Sequence, residues 1–392
     1  MQQKFGKRFG KRFGKTHRGN LQQLVATQNA PLQTLLAKLA DEPFSGQGSD
    51  SSAAVSLAVS LLRADWLARG WRPEQFGLAE AQLDDWMIAQ AEHFRQAYRA
   101  IAPLCQDELG WDAVPLDLLW GLWLPLAEWL KQRWRLLSRP LIQGILGGQG
   151  TGKSTLARLL RGILAADGLR VVCLSIDDLY KTWGDRQQLQ QADPRLRWRG
   201  PPGTHDVNLG IQTLQALRQG KSPVLLPRFD KSLHQGQGDR IPPEPVSGAD
   251  IVLFEGWFVG LRPIDSAAFD DAPPPILTAA DRAFARDCNT RLADYLPLWS
   301  LLDGLIVLRP DDYRLSQQWR KQAEHRMTAA GRPGMSDAEI DQFVEYFWRS
   351  LHPALFYPPL LRDSEQVDWV VEVRADRQVD RVWKGRGNDR TA

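Results

Sequence analysis

The chain has 392 residues, a net charge of +3, 43% apolar residues and 24% charged residues, a profile that suits one large α/β domain with a smaller appendage. Seven Lys and Arg but no acid fall within residues 1–20, so the remainder is slightly acidic, which argues against a dedicated nucleic-acid partner. Three well-separated cysteines exclude a disulfide framework or zinc cage, and with no secretory h-region and no bilayer-length apolar run they point to a cytoplasmic protein without a membrane partner.

Residues 4–15 repeat a Lys-Arg-Phe-Gly unit that cannot bury a core, so 1–20 reads as a disordered basic tail. Between 21 and 138 the apolar spacing is helical. Leu57, Leu61, Leu62, Trp66 and Leu67 recur at three- and four-residue steps, and 79–101 does the same ahead of Pro103. Trp120, Trp123, Ala127, Leu130 and Trp134 form a further stripe crossed by Pro125. From 139 to 375 short apolar runs (141–146, 171–175, 224–226, 251–254, 305–308 and 369–373) alternate with helical segments. The alternation predicts an α/β three-layer sandwich with a mostly parallel sheet and active residues just beyond the strands' carboxyl ends. Residues 376–392 read as a C-terminal tail.

The strongest local signal is Gly147, Gly148, Gln149, Gly150, Thr151, Gly152, Lys153 and Ser154, which fits GxxxxGK[ST] between a strand ending at Leu146 and a helix opened by Leu156, Leu159 and Leu160. Glycines let main-chain N–H groups turn onto phosphate oxygens, and the helix start, with Thr155, adds its partial positive charge. Lys153 reaches the β- and γ-phosphates of ATP and the Ser154 hydroxyl ligates Mg²⁺. No NKxD or LSGGQ element occurs, which removes the GTPase and transporter classes. The second strand runs into Ser175-Ile176-Asp177-Asp178-Leu179-Tyr180. Side chains alternate along an extended segment, so Asp177 is taken as the base facing the phosphates and Asp178 as solvent-facing or structural. The strand 251–254 ends in Glu255-Gly256-Trp257, which places Glu255 for a direct or indirect Mg²⁺ contact.

The segments GGQGTGKST, SIDDLY, RGPPGTHDVNLGIQTL, PRFDKSLHQGQGDR, EGWFVGLRP and WRKQAEHRMTAAGRPGMSDAEIDQFVEYF together resemble the plant and cyanobacterial D-glycerate 3-kinase type, a branch of the P-loop kinases that includes uridine kinase, pantothenate kinase and phosphoribulokinase. They run from about 141 to 373. Leu179 and Phe229 depart from the residues common there without removing a charge. The resemblance implies transfer of the ATP γ-phosphoryl group to D-glycerate, as in photorespiratory glycerate salvage, giving 3-phospho-D-glycerate. A small carboxylate acceptor needs fixed cations; the candidates are Arg228, Lys231, Arg240 and Arg262, with Asp230 and Asp239 orienting them. His205 is the candidate for a hydroxyl contact, its tautomer set by Asp206, which equally fits a helix N-cap. Related kinases close a basic helix over the phosphates, which makes Arg320 a phosphate contact or, alternatively, a surface partner of Glu324. A nucleoside or pantothenate acceptor, or a regulatory ATPase, are the competing functions.

Overall fold

The computed structural model describes residues 32–42, 52–329, 331, 334–363 and 365–385; the basic repeat expected as a tail lies outside them. Its centre is a six-stranded sheet of β1 (Leu141–Gly147), β2 (Val171–Ser175), β5 (Ile251–Gly256), β6 (Gly304–Pro310), β7 (Val367–Val373) and β8 (Val379–Lys384), in the order β2-β5-β1-β6-β7-β8. The first five are mutually parallel and β8 is antiparallel to β7. β3 (Val224–Asp230) and β4 (Asp239–Val246) form a separate antiparallel ribbon.

Burial of both faces explains why β1 and β5 read as nearly continuous apolar runs, broken only by Gln143 in β1 and Glu255 near the end of β5. Leu141, Ile145, Leu253, Ile306 and Trp369 point into one core, and Ile142, Leu146, Phe254, Val307 and Val370 into the other. The first core also takes the helix Lys153–Ala166 and the N-terminal helices Ser52–Ala68, Leu83–Pro103 and Leu124–Arg135. Trp369 on β7 meets Trp71 at 4.7 Å and Trp129 at 5.8 Å between ring centroids. The N-terminal helices are therefore a layer of the same core. The Trp120–Trp134 stripe passes Pro125 by a wide turn over Leu119–Trp123, the local loosening that a missing N–H demands.

Two expectations are corrected. The run 224–226 belongs to the ribbon and not to the central sheet. The segment read as a C-terminal tail contains β8, whose Val382 N–H donates to the Arg69 carbonyl at 2.9 Å; a Cβ on Gly70 would stand 2.0 Å from the Val382 oxygen, so glycine permits that approach. Among the described residues the cysteines are free and no helix is long and apolar enough to cross a membrane.

Candidate active site

The glycine loop leaves β1 and enters the helix Lys153–Ala166 through Gly150 (φ +76°) and Gly152 (φ +88°), conformations that favour glycine. The Thr151 hydroxyl donates to the Gly148 carbonyl at 2.8 Å, closing the loop on itself. A Cβ on Gly150 would lie 2.7 Å from Cβ of Trp319, so the helix Leu315–Ala329 is seated directly on the loop.

Beyond the ends of β2 and β5 stand the two acids singled out in the sequence. Asp177 does not lie on an extended segment. Ile176–Leu179 is a 3-10 turn whose N-cap, Ser175, accepts from the Asp177 N–H at 3.2 Å, while Asp178 Oδ2 accepts from the Ser175 N–H at 3.0 Å. Asp178 is thereby turned back, paired with Arg228 at 3.1 Å, and burial raises its pKa. Asp177 lines the cavity instead. Its Oδ1 accepts from the Tyr180 hydroxyl at 2.9 Å and its Oδ2 from Lys231 Nζ at 2.6 Å. Burial lifts its pKa, but Lys231, Lys153 and the Tyr180 hydroxyl outweigh that and hold it at about 2.

Glu255, at the end of β5, accepts from the Ser154 hydroxyl at 2.7 Å, and its other oxygen, 3.9 Å from Lys153 Nζ, is buried without a hydrogen-bond partner. A buried carboxylate oxygen with nothing to bind, beside a loop hydroxyl, suits a hard cation. Among the described residues no group of three or more His, Cys, Asp and Glu forms a metal cage; Mg²⁺ in phosphoryl transfer needs only one or two side chains, the phosphates supplying the rest.

A cavity of about 230 Å³ lies between the glycine loop and Asp177. Gln149, Gly150 and Lys153 border it from the loop, Asp177 and Tyr180 from the turn after β2, and Lys231 and Arg199 from two further loops. Trp257, Trp319, Arg320, Phe343 and Phe347 complete its wall. Arg320 lines the cavity and pairs at 3.1 Å with Glu324, which is buried and so not the surface partner expected.

The other expected substrate residues stand elsewhere. Arg228 is bound to Asp178 and Glu244, and Arg240 to Asp206 at 2.9 Å and the Tyr180 carbonyl at 2.8 Å; both brace the turn that carries Asp177. Arg262 donates to Gln366, next to the amino end of β7, on the opposite rim of the sheet from the loop. His205 is 2% exposed and lies behind Tyr180, stacked on it at 4.6 Å. Asp206 does not set its tautomer but caps the helix Val207–Arg218 through the Leu209 N–H. The Tyr295 hydroxyl accepts from the Gly203 N–H and shares a hydrogen bond with His205 Nδ1 at 2.8 Å. Burial keeps this imidazole neutral, its pKa down at about 3. Asp230 accepts from Ser232 and Asp239 from Trp183, Arg240 N–H and His234; among the described residues neither carboxylate pairs with an Arg or Lys side chain. Sequence analysis missed Arg199, Tyr180 and the aromatic wall. A basic residue directly ahead of the Gly200-Pro201-Pro202-Gly203 turn was the available sign for Arg199.

No family model matches the chain. It is 34% identical over 231 residues to an uncharacterized kinase (mug58) of Schizosaccharomyces pombe, covering 57% of this chain and 83% of that one. It is 31% identical to the chloroplastic D-glycerate 3-kinase of Arabidopsis thaliana, covering 55% of this chain and 49% of the plant protein. The structure of D-glycerate 3-kinase from Cryptococcus neoformans superposes with a TM-score of 0.61 at 28% identity, over 67% of this chain and 99% of the fungal one. A sheet ordered around a glycine loop, with acids at the ends of β2 and β5 and homologous kinases on either comparison, places the chain in the P-loop kinase family that includes D-glycerate 3-kinase, as an ATP-dependent kinase.

Proposed function

We propose that the protein phosphorylates D-glycerate with Mg²⁺-ATP, giving 3-phospho-D-glycerate and ADP. The observation that carries this reading is the cavity itself. Four cations (Lys153, Arg199, Lys231 and Arg320) border a small space that contains one carboxylate, Asp177, a balance suited to phosphates and a small anionic acceptor together. That the plant and fungal relatives are D-glycerate 3-kinases supports the same acceptor.

The loop N–H groups and Lys153 hold the β- and γ-phosphates, and Arg320 covers them from the helix Leu315–Ala329, which serves as the lid helix. Ser154 and Glu255 would hold Mg²⁺, which would supply positive charge beside the phosphate oxygens. The acceptor hydroxyl oxygen bonds to the γ-phosphorus as the bond to the β,γ-bridging oxygen breaks, and Asp177 takes the hydroxyl proton. Asp177 held at about 2 is a weak base, which a loose transition state tolerates because the proton leaves late. Lys231, 59% exposed, is free to swing from Asp177 towards a phosphate oxygen.

ADP release with Mg²⁺-ATP is measured with D-glycerate, pantothenate, uridine or no acceptor, and the product is identified by phosphorus NMR. Glycerate-dependent turnover with a 3-phosphate signal is expected. Turnover confined to pantothenate or uridine overturns the acceptor.

A further inference from the structure

The loop and Asp177 account for the transferring group and leave open what grips the acceptor. Of the cations around the cavity, Lys153 belongs to the phosphates, Lys231 is 2.6 Å from Asp177 and Arg320 is 3.1 Å from Glu324. Arg199 differs. Its Nη1 donates to the carbonyls of Gly236 at 2.7 Å and Gln237 at 2.9 Å, its guanidinium lies over Phe229 and Tyr180, and no carboxylate pairs with it among the described residues. Arg186 reaches the same loop through the Gln237 and Gly238 carbonyls, and no carboxylate hydrogen-bonds to it among the described residues. Arg186 and Arg199 repel each other and Asp239 offsets this in part at Arg186, but no carboxylate pairs with either guanidinium among the described residues, so like charges are held together at a cost that an anion would relieve. By contrast Arg228 and Arg240 are neutralised within the fold.

We infer that Arg199 is the residue that binds the acceptor's carboxylate, an assignment that rests on the small-anion reading of this cavity. With Nη1 committed to two carbonyls, the Nε–Nη2 edge makes no hydrogen bond among the described residues, and its two parallel N–H groups match the two oxygens of a carboxylate. The Tyr180 and Phe229 rings, edge to face with each other, flank the guanidinium at 5.9 and 5.7 Å, and Tyr180 also donates to Asp177. The group that binds the acid end is thus tied, through one ring, to the group that faces the reacting hydroxyl.

The test compares wild type, Arg199→Met and Arg199→Lys on D-glycerate and on D-glyceramide, which has the same hydroxyls without the charge. Arg199→Met is expected to raise KM for glycerate about 100-fold, to leave KM for ATP within threefold, and to abolish the preference for glycerate over glyceramide; Arg199→Lys falls between. An unchanged glycerate KM, or an equal loss on both acceptors, overturns the assignment while the glycerate activity of wild type stands. If wild type instead prefers pantothenate and Arg199→Met removes its preference over the corresponding amide, the glycerate reading fails and the carboxylate assignment holds. A wild type that prefers uridine overturns both.

Discussion

Replacing Asp177 by Asn separates its two proposed roles, because the amide keeps the shape and loses the charge. In the wild type, burial pushes the carboxyl upward, and Lys231, Lys153 and the Tyr180 hydroxyl together bring it from 3.8 down to about 2. The carboxylate is 28% exposed, so after solvent screening the lowered pKa stabilises the folded state by roughly 2 kcal/mol above pH 5. A depressed carboxylate pKa contributes stability that is present above the unfolded value and lost as pH falls through the folded one; here about half is lost by pH 3. Asp177→Asn is therefore less stable than wild type by up to roughly 2 kcal/mol at pH 7, and the gap narrows by about half at pH 3. Urea unfolding followed by tryptophan fluorescence at the two pH values measures it. Turnover of the variant, followed by coupled ADP release, is expected to fall about 10²- to 10⁴-fold. A variant with more than a tenth of wild-type turnover refutes Asp177 as base. A stability gap that is the same at both pH values refutes the ion pair with Lys231.

Three further perturbations probe the rest of the framework. Glu255→Gln keeps an acceptor for the Ser154 hydroxyl, 2.7 Å away, but removes the charge. The free Mg²⁺ needed for half-maximal rate should rise about tenfold or more, and an unchanged Mg²⁺ titration removes Glu255 from the metal. Gly150→Ala must place a Cβ 2.7 Å from Trp319 at φ +76°, so KM for ATP should rise about tenfold; an unaltered nucleotide titration means the lid helix is not seated on the loop. Trp369→Ala empties the junction between the sheet and Trp71 and Trp129. It should cost about 3–5 kcal/mol in urea unfolding, whereas a loss below about 1 kcal/mol would mean the N-terminal layer does not share this core.

What the sequence shows of this molecule follows the range of the forces involved. The glycine loop is legible because its requirements are local: positive φ at Gly150 and Gly152 and a helix beginning at Lys153. β1 and β5 are legible because helices bury both faces, so nearly every position must be apolar. β3 shows only a short apolar run, and its partner β4 carries Pro242, Pro243 and Pro245, residues that suit an edge and conceal a strand. β8 buries Val382 alone, too little to distinguish from a tail. The turn of Asp177 into the cavity and of Asp178 out of it has a cause that strand alternation misses, namely the cap that Ser175 and Asp178 form on a 3-10 turn. Cations are the least legible of all. Arg228, Arg240 and Arg199 are chemically alike in the sequence, and what separates them is where acids from distant segments come to rest. Glu244 and Asp178 reach the first and Asp206 the second, while the third meets main-chain carbonyls and aromatic rings and, among the described residues, no carboxylate. In a kinase of this kind, substrate charge is expected where the fold has left its own charge unpaired, and that difference exists only after the chain has folded.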